Sequence, residues 1–255
     1  MLNSAAAVRP SRRDAIAAFF GLDARPVRVL LVVLLALDAV LLVAHVSHWA
    51  FGEPSDPLLN LDLERGYGEQ LFTFTMFGVC VLLLWAARRF RAPVLVGWLA
   101  LFAFIVLDDW FLVHERMGEH VAETFAAVSH RMIGELIYLA AAGLVLAIVI
   151  AVLHVLTRGI GRAISANLLV LFLWLVVLSV GVDPLHELLH EIPVMDASLA
   201  LIEDGGEIVM ASLLFVSLFA LVACDHVPVV GARLGRLLGV AEDWRVAGRT
   251  RLASV

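Results

Sequence analysis

Lysine is absent: the whole positive charge of the 255-residue chain rests on its 18 arginines. That usage reads as a GC-rich bacterial coding bias and not as a binding signal. Charged residues make up only 16 % of the chain and the net charge is −6, so there is no basic stripe to follow a nucleic-acid backbone. The two cysteines, Cys80 and Cys224, lie in or beside different apolar runs, which excludes both a disulfide framework and a CxxC metal motif. In place of charge there is hydrocarbon. The chain is 62 % hydrophobic with a mean hydropathy of +0.96, more than a soluble core requires.

Several apolar runs approach or exceed the roughly 20 residues that cross a bilayer. The first, from Val27 to Phe51, is too long for the roughly 7–15-residue apolar core of a signal peptide and reads as a retained span. Five more follow, at 69–88, 93–115, 132–156, 164–191 and 199–224. The expected fold is an all-α, six-helix transmembrane bundle occupying residues 27–224, preceded by a polar segment, 1–26, and followed by an Arg-rich tail, 225–255. Ser11 followed by Asp14 has the spacing of a helix cap, and predicts a short interfacial helix over Ser11–Leu22.

Arginine then sets the orientation. With both termini in the cytoplasm, only Arg65, Arg116 and Arg131 fall outside. Of the 24 acids, only Asp14, Asp23, Asp225, Glu242 and Asp243 fall inside, and Asp38 lies within the first span. The expected home is a bacterial inner membrane, with the lipid bilayer as partner and with room for an oligomer.

The outer ends of the spans gather ligand-type side chains. In GVDPLHELLHE, Asp183, His186, Glu187 and His190 recur at i, i+3, i+4 and i+7, one face of a helix, and spell the HExxH zinc signature. Asp108 and Glu115, at i and i+7 near the end of the third span, share a face, with Asp109 about 100° away. Glu135 heads a line of residues spaced by four that ends Gly143, Ala147, Ala151. That small-residue stripe predicts a packed helix face and sets Glu135 on it. Glu203 and Glu207 sit at i, i+4 on the last span, where like charges repel unless a cation or proton intervenes. At 1.5 Å per residue these groups, with Glu69, His45 and His48, fall in one layer near the outer edge of the ~30 Å hydrocarbon core.

Mixed Glu/Asp/His sets inside helical bundles are how di-iron and di-manganese carboxylate proteins are built. The expected site is therefore a metal centre of Asp108, Glu115, Glu135, Asp183, His186, His190, Glu203 and Glu207, with Glu187 as ligand or general base. The metal would be zinc, iron or manganese, and the substrate a small molecule or lipid. One alternative is a cation- or proton-coupled transporter or channel using Asp38, His45 and His48. Asp38 near the bilayer centre favours it, and the apolar inner halves of spans three, five and six oppose a through-pore. Another is a membrane zinc hydrolase or peptidase with Glu187 as base and a third ligand from Glu203 or Glu207.

Three stretches carry a resemblance: LNLDLE at Leu59–Glu64, LDDWFLVHE at Leu107–Glu115 and IEDGGE at Ile202–Glu207. Together they resemble a group of bacterial multi-pass membrane proteins without an assigned activity. These carry an LD-x-E first outer loop, an LDE or LDD…HE helix and a late acidic pair. The resemblance implies the membrane fold and brings no reaction; His186 and His190 lie outside its pattern. A looser similarity is to the alkaline ceramidase-like membrane hydrolases, from which the chain departs in having six spans and no serine placed in the acidic layer.

Overall fold

The computed structural model describes residues 11–61, 63, 65–125, 131–189 and 191–240; the side chains of Asp183, Pro184, Glu187, Pro193 and Ala232 lie outside the described set. Among the described residues the regular structure is all helical, without strands. Six helices are long and apolar enough to cross a membrane: α2 (Arg25–Phe51), α3 (Tyr67–Phe90), α4 (Pro93–Phe111), α6 (Arg131–Leu156), α7 (Ile160–Ser179) and α9 (Pro193–Ala223). Four shorter ones decorate the ends: α1 (Arg12–Phe20), α5 (Val113–Thr124), α8 (Asp183–Leu189) and α10 (Ala232–Leu237).

Local chemistry sets many of the boundaries. Ser11 caps α1 by accepting the Asp14 N–H, and the Asp14 carboxylate returns the bond to the Ser11 N–H. The Ser11 hydroxyl and then the Ser11 N–H, both donating to it, hold the Asp14 carboxyl below the usual carboxylate range. Proline stands in the first turn of α2, α4 and α9, where its missing N–H costs nothing, and left-handed Gly21 and Gly52 end α1 and α2.

Two spans are shorter than the hydropathy suggests. The third stops at Phe111, where Leu112 takes a left-handed conformation (φ 49°) and the chain turns into α5. Asp108 and Glu115 therefore lie on different helices and do not share a face. The fifth stops at Ser179, and the HELL segment forms the separate seven-residue α8. The HExxH stretch therefore begins on α8 and not on the fifth span, and His190 is outside the described residues. Both breaks fall where the sequence turns polar, so that an aqueous boundary can satisfy the freed backbone groups.

The helix α9 is the centre: α2, α3 and α7 pack on it, α8 lies against it, and 61 % of its apolar window is buried. The helix α4 bridges α3, α7 and α6. At its core Trp98, Phe102 and Phe172 meet with ring centroids 5.7–6.0 Å apart. By contrast α2 and α6 bury only 11 % and 6 % of their windows, leaving apolar surface for lipid.

Polar side chains tie α1 and the 225–240 segment to the bundle. Trp98 Nε1 donates to Ser165 Oγ (2.8 Å), which pairs with His154 Nδ1 (2.9 Å), while His154 Nε2 donates to the Leu238 carbonyl (2.9 Å). Arg162 donates to the carbonyls of Val155, Thr157 and Gly239, and His226 Nε2 to that of Ala18. The 225–240 segment is thus folded against the bundle. Ser217 donates to Asn167 Oδ1 (2.7 Å). Buried Ser165, Asn167 and Ser217 show that the inner halves of α7 and α9 are not purely apolar, contrary to the sequence reading.

A second correction concerns α6. Ala147 and Ala151 are exposed and a Cβ on Gly143 would meet nothing, so the small-residue stripe contacts no other helix of the described chain. The close approach lies two turns earlier, where Gly134 of α6 rests on Gly118 of α5: a Cβ on Gly134 would overlap the Gly118 backbone, and one on Gly118 would overlap the Glu135 side chain. Gly134→Ala should accordingly lower stability by about 2 kcal/mol or more, because backbone cannot move aside. Gly143→Ala should be neutral or add up to about 1 kcal/mol through helix propensity. Denaturation of the two variants in detergent, followed by circular dichroism, separates opposite signs on one helix.

Candidate functional site: an acidic cavity at one end of the bundle

The LDDWF sequence at the end of α4 sends two neighbouring carboxylates to different places. Successive helical residues are 100° apart. Asp109 consequently faces α3, where Thr73 Oγ1 donates to its Oδ2 at 2.7 Å. Asp108 is buried and turns toward α5, where His114 Nδ1 pairs with its Oδ2 at 2.9 Å.

Asp109 opens onto a cavity of about 190 Å³ between α3, α4 and α9, capped by the loop before α3. Its described lining comprises four carboxylates (Glu69, Asp109, Asp204 and Glu207), four apolar residues (Leu61, Leu63, Phe72, Ile208) and Gly68. None of those residues is basic. A Cβ on Gly68 would collide with Leu61, so glycine there lets the loop close over the cavity. Glu69 accepts the Arg65 backbone N–H. Asp204 and Glu207 lie at i, i+3 on α9 and so reach the cavity from one face. Like charges so placed repel one another.

A second group lies where α4, α5 and α6 meet. Arg131 pairs with Glu135 (2.8 Å) and more loosely with Glu115 (3.4 Å), and Tyr138 is within electrostatic reach of Asp108. The hydrogen bond to Asp108 holds the His114 imidazole above its ordinary value; partial burial opposes this, and the Asp108, Glu135 and Glu115 charges add to it. A third group joins α8 to α9: His186 Nδ1 to Glu203 (2.9 Å) and Nε2 to Asp196 (3.1 Å). Both ring nitrogens of His186 are engaged by carboxylates, so a zinc ion on this histidine would have to displace one of them.

On α2, His48 Nδ1 donates to the Pro54 carbonyl (2.7 Å), His45 Nδ1 accepts the Leu61 N–H (3.2 Å), and Asp38 Oδ1 accepts from Ser212 Oγ (3.2 Å). The single metal centre of the sequence reading is thus divided among separate places. Glu207 lines the cavity; Asp108, Glu115 and Glu135 lie with Arg131 and His114; His186 and Glu203 pair with each other. His190 and the side chains of Asp183 and Glu187 lie outside the described residues. Among those described, no three of His, Cys, Asp and Glu converge closely enough to hold a metal ion directly. Sequence reasoning passed over Asp109, Asp204 and Thr73 as site residues. Thr73 stands four residues after Glu69, on the same face of α3, which is the spacing that would have found it.

The raised His114 imidazole gives a pH signature. A base whose folded value lies above its unfolded one adds stability that is complete below about 6.5 and disappears as the pH rises through the folded value. The melting temperature of the wild type should therefore exceed that of His114→Gln most at about pH 6, and the gap should close at higher pH. A gap that is constant with pH would show that the Asp108–His114 pair carries no linked proton.

No curated protein and no solved structure is significantly similar to this chain. One family model matches, over residues 27–223, from the third residue of α2 to the last of α9, and its description is a domain of unknown function, DUF8692. On that match across most of its length, the chain belongs to the DUF8692 family.

Proposed function

We propose that this is a multi-pass inner-membrane protein of a bacterium, with both termini cytoplasmic, that binds a divalent cation together with its water in the acidic cavity facing the periplasm. The arginine distribution supports the orientation. The observation that carries the function is the cavity itself: four carboxylates and no described base around about 190 Å³. That volume holds several waters. Because the carboxylates surround the space without converging as direct ligands, they suit an ion that keeps much of its hydration. Carboxylate oxygens are hard donors, the choice of magnesium, calcium and manganese more than of zinc. Of the metals named from the sequence, manganese fits this lining best.

Titration calorimetry of the detergent-purified chain with Mn²⁺ should give about one bound ion. Removing one of four charges by Asp109→Asn or Glu207→Gln should weaken binding about tenfold or more, equivalent to about 1.4 kcal/mol. Asp108→Asn, on the other side of α4, should change it less than about twofold. Absence of binding in the wild type would overturn the reading, and a loss confined to Asp108→Asn would move the ion to the α4–α5–α6 group.

A further inference from the structure

Only three residues of the 27-residue α2 are buried: Val27, Asp38 and His45. Their spacings, eleven and seven, return to nearly the same angle on a helix, so they form one seam. That seam faces α9, the principal neighbour of α2. Val27 meets Val216 and Ala220, Asp38 meets Ser212, and Leu42 fills the notch left by Gly205. A peripheral, lipid-facing helix has turned its one carboxylate inward, at the midpoint of its length.

Asp38 is 1 % exposed, receives one hydrogen bond from Ser212 at 3.2 Å, and has no partner for Oδ2. An ionised carboxylate so placed needs a countercharge, and none is at hand among the described residues. On α2 itself the arginines, Arg25 and Arg28, lie at the helix start, and Arg28 is engaged by the carbonyls of Leu22 and Asp23. On α9 the only titratable side chains are Asp196, Glu203, Asp204 and Glu207, all acidic and all nearer the other end. The turn Pro57–Leu59 has none.

That leaves His45, two turns above Asp38 on the same seam. A backbone N–H can only donate, so the Leu61 bond makes His45 Nδ1 an acceptor and puts the ring's hydrogen on Nε2. Seven residues of helix, about 10 Å of rise, separate the ring from Asp38, too far for a direct ion pair. Lost hydration strongly disfavours a bare carboxylate at this depth, and a bound proton removes that penalty.

We propose that Asp38 is a proton-binding site within the membrane, and that its proton is what lets α2 dock on α9. The inference is independent of the cavity and its cation. In the protonated state the carboxylic acid accepts from Ser212 and lies within an apolar seam. Loss of the proton to water leaves a carboxylate that α9 cannot neutralise, and the α2–α9 seam opens to admit water to it.

Infrared spectroscopy of the full chain in lipid tests the proton directly, since the carbonyl stretch of a carboxylic acid is absent from a carboxylate. At neutral pH one such band should vanish in Asp38→Asn, which preserves shape and can still accept from Ser212. The same band should shift in Ser212→Ala, identifying it with Asp38 even if the Asn variant folds poorly. If neither substitution alters a carboxylic-acid band, Asp38 is ionised and the proposal fails. Docking is read separately from spin labels at Val40 and Ile202, both exposed. Their separation should lengthen at alkaline pH in the wild-type background and stay constant with Asp38→Asn; a separation that ignores pH in both would overturn the docking role.

Discussion

Moving a carboxylate from water into hydrocarbon forfeits several kcal/mol of hydration, and the arrangement of this bundle follows from how each acid meets that cost. At the acidic end the cost is shared. Asp109 has the Thr73 hydroxyl, Glu69 a backbone N–H, Glu135 and Glu115 the Arg131 guanidinium, Asp108 and Glu203 a histidine each. These donors come from α3, α5, α6 and α8 and from the loop before α3. The short helices at the acidic end thus bring α4 and α9 the partners that their carboxylates need. Mid-membrane the supply is thinner, and Asp38 has one serine.

The same solvent explains the contacts that hold the helices. Lipid tails are as apolar as leucine, so association relies on close packing and on hydrogen bonds worth about 0.6–2 kcal/mol each. The Gly118–Gly134 contact supplies the first for α5 and α6. The chain from Trp98 through Ser165 and His154 to the Leu238 carbonyl supplies the second, tying α4, α6 and α7 to the segment after α9. Each member of that chain donates to the next or accepts from it without leaving a polar atom over, which is the condition for burying it.

The six spans were legible because a run of apolar residues is a direct statement about thickness, and backbone satisfaction then demands a helix. Where the apolar text gives way, the text says less. Nothing in LDDWFLVHE marks Leu112 as the residue that turns left-handed; that choice belongs to the packing of α5 on α6, a contact between residues sixteen apart. The stripe of Gly143, Ala147 and Ala151 read as a packed face because small residues permit close approach, but permission does not supply a neighbour. The grouping of the described acids was not legible, since periodicity tells which residues share a face of one helix and is silent about which helix that face meets. HExxH shows the same limit: the spacing is a helical one, yet it begins on the short α8 and not on the fifth span.

Asp108 and Asp109 are joined by a single peptide unit, yet one is held from the α5 side and the other from the α3 side. A helix gripped on two flanks at the same level cannot roll: any turn about its axis that shortens one grip lengthens the other. The end of α4 is thereby keyed between its neighbours like a shaft with a pin through it. Its axial angle is set by two acids rather than by the smooth apolar surface below them.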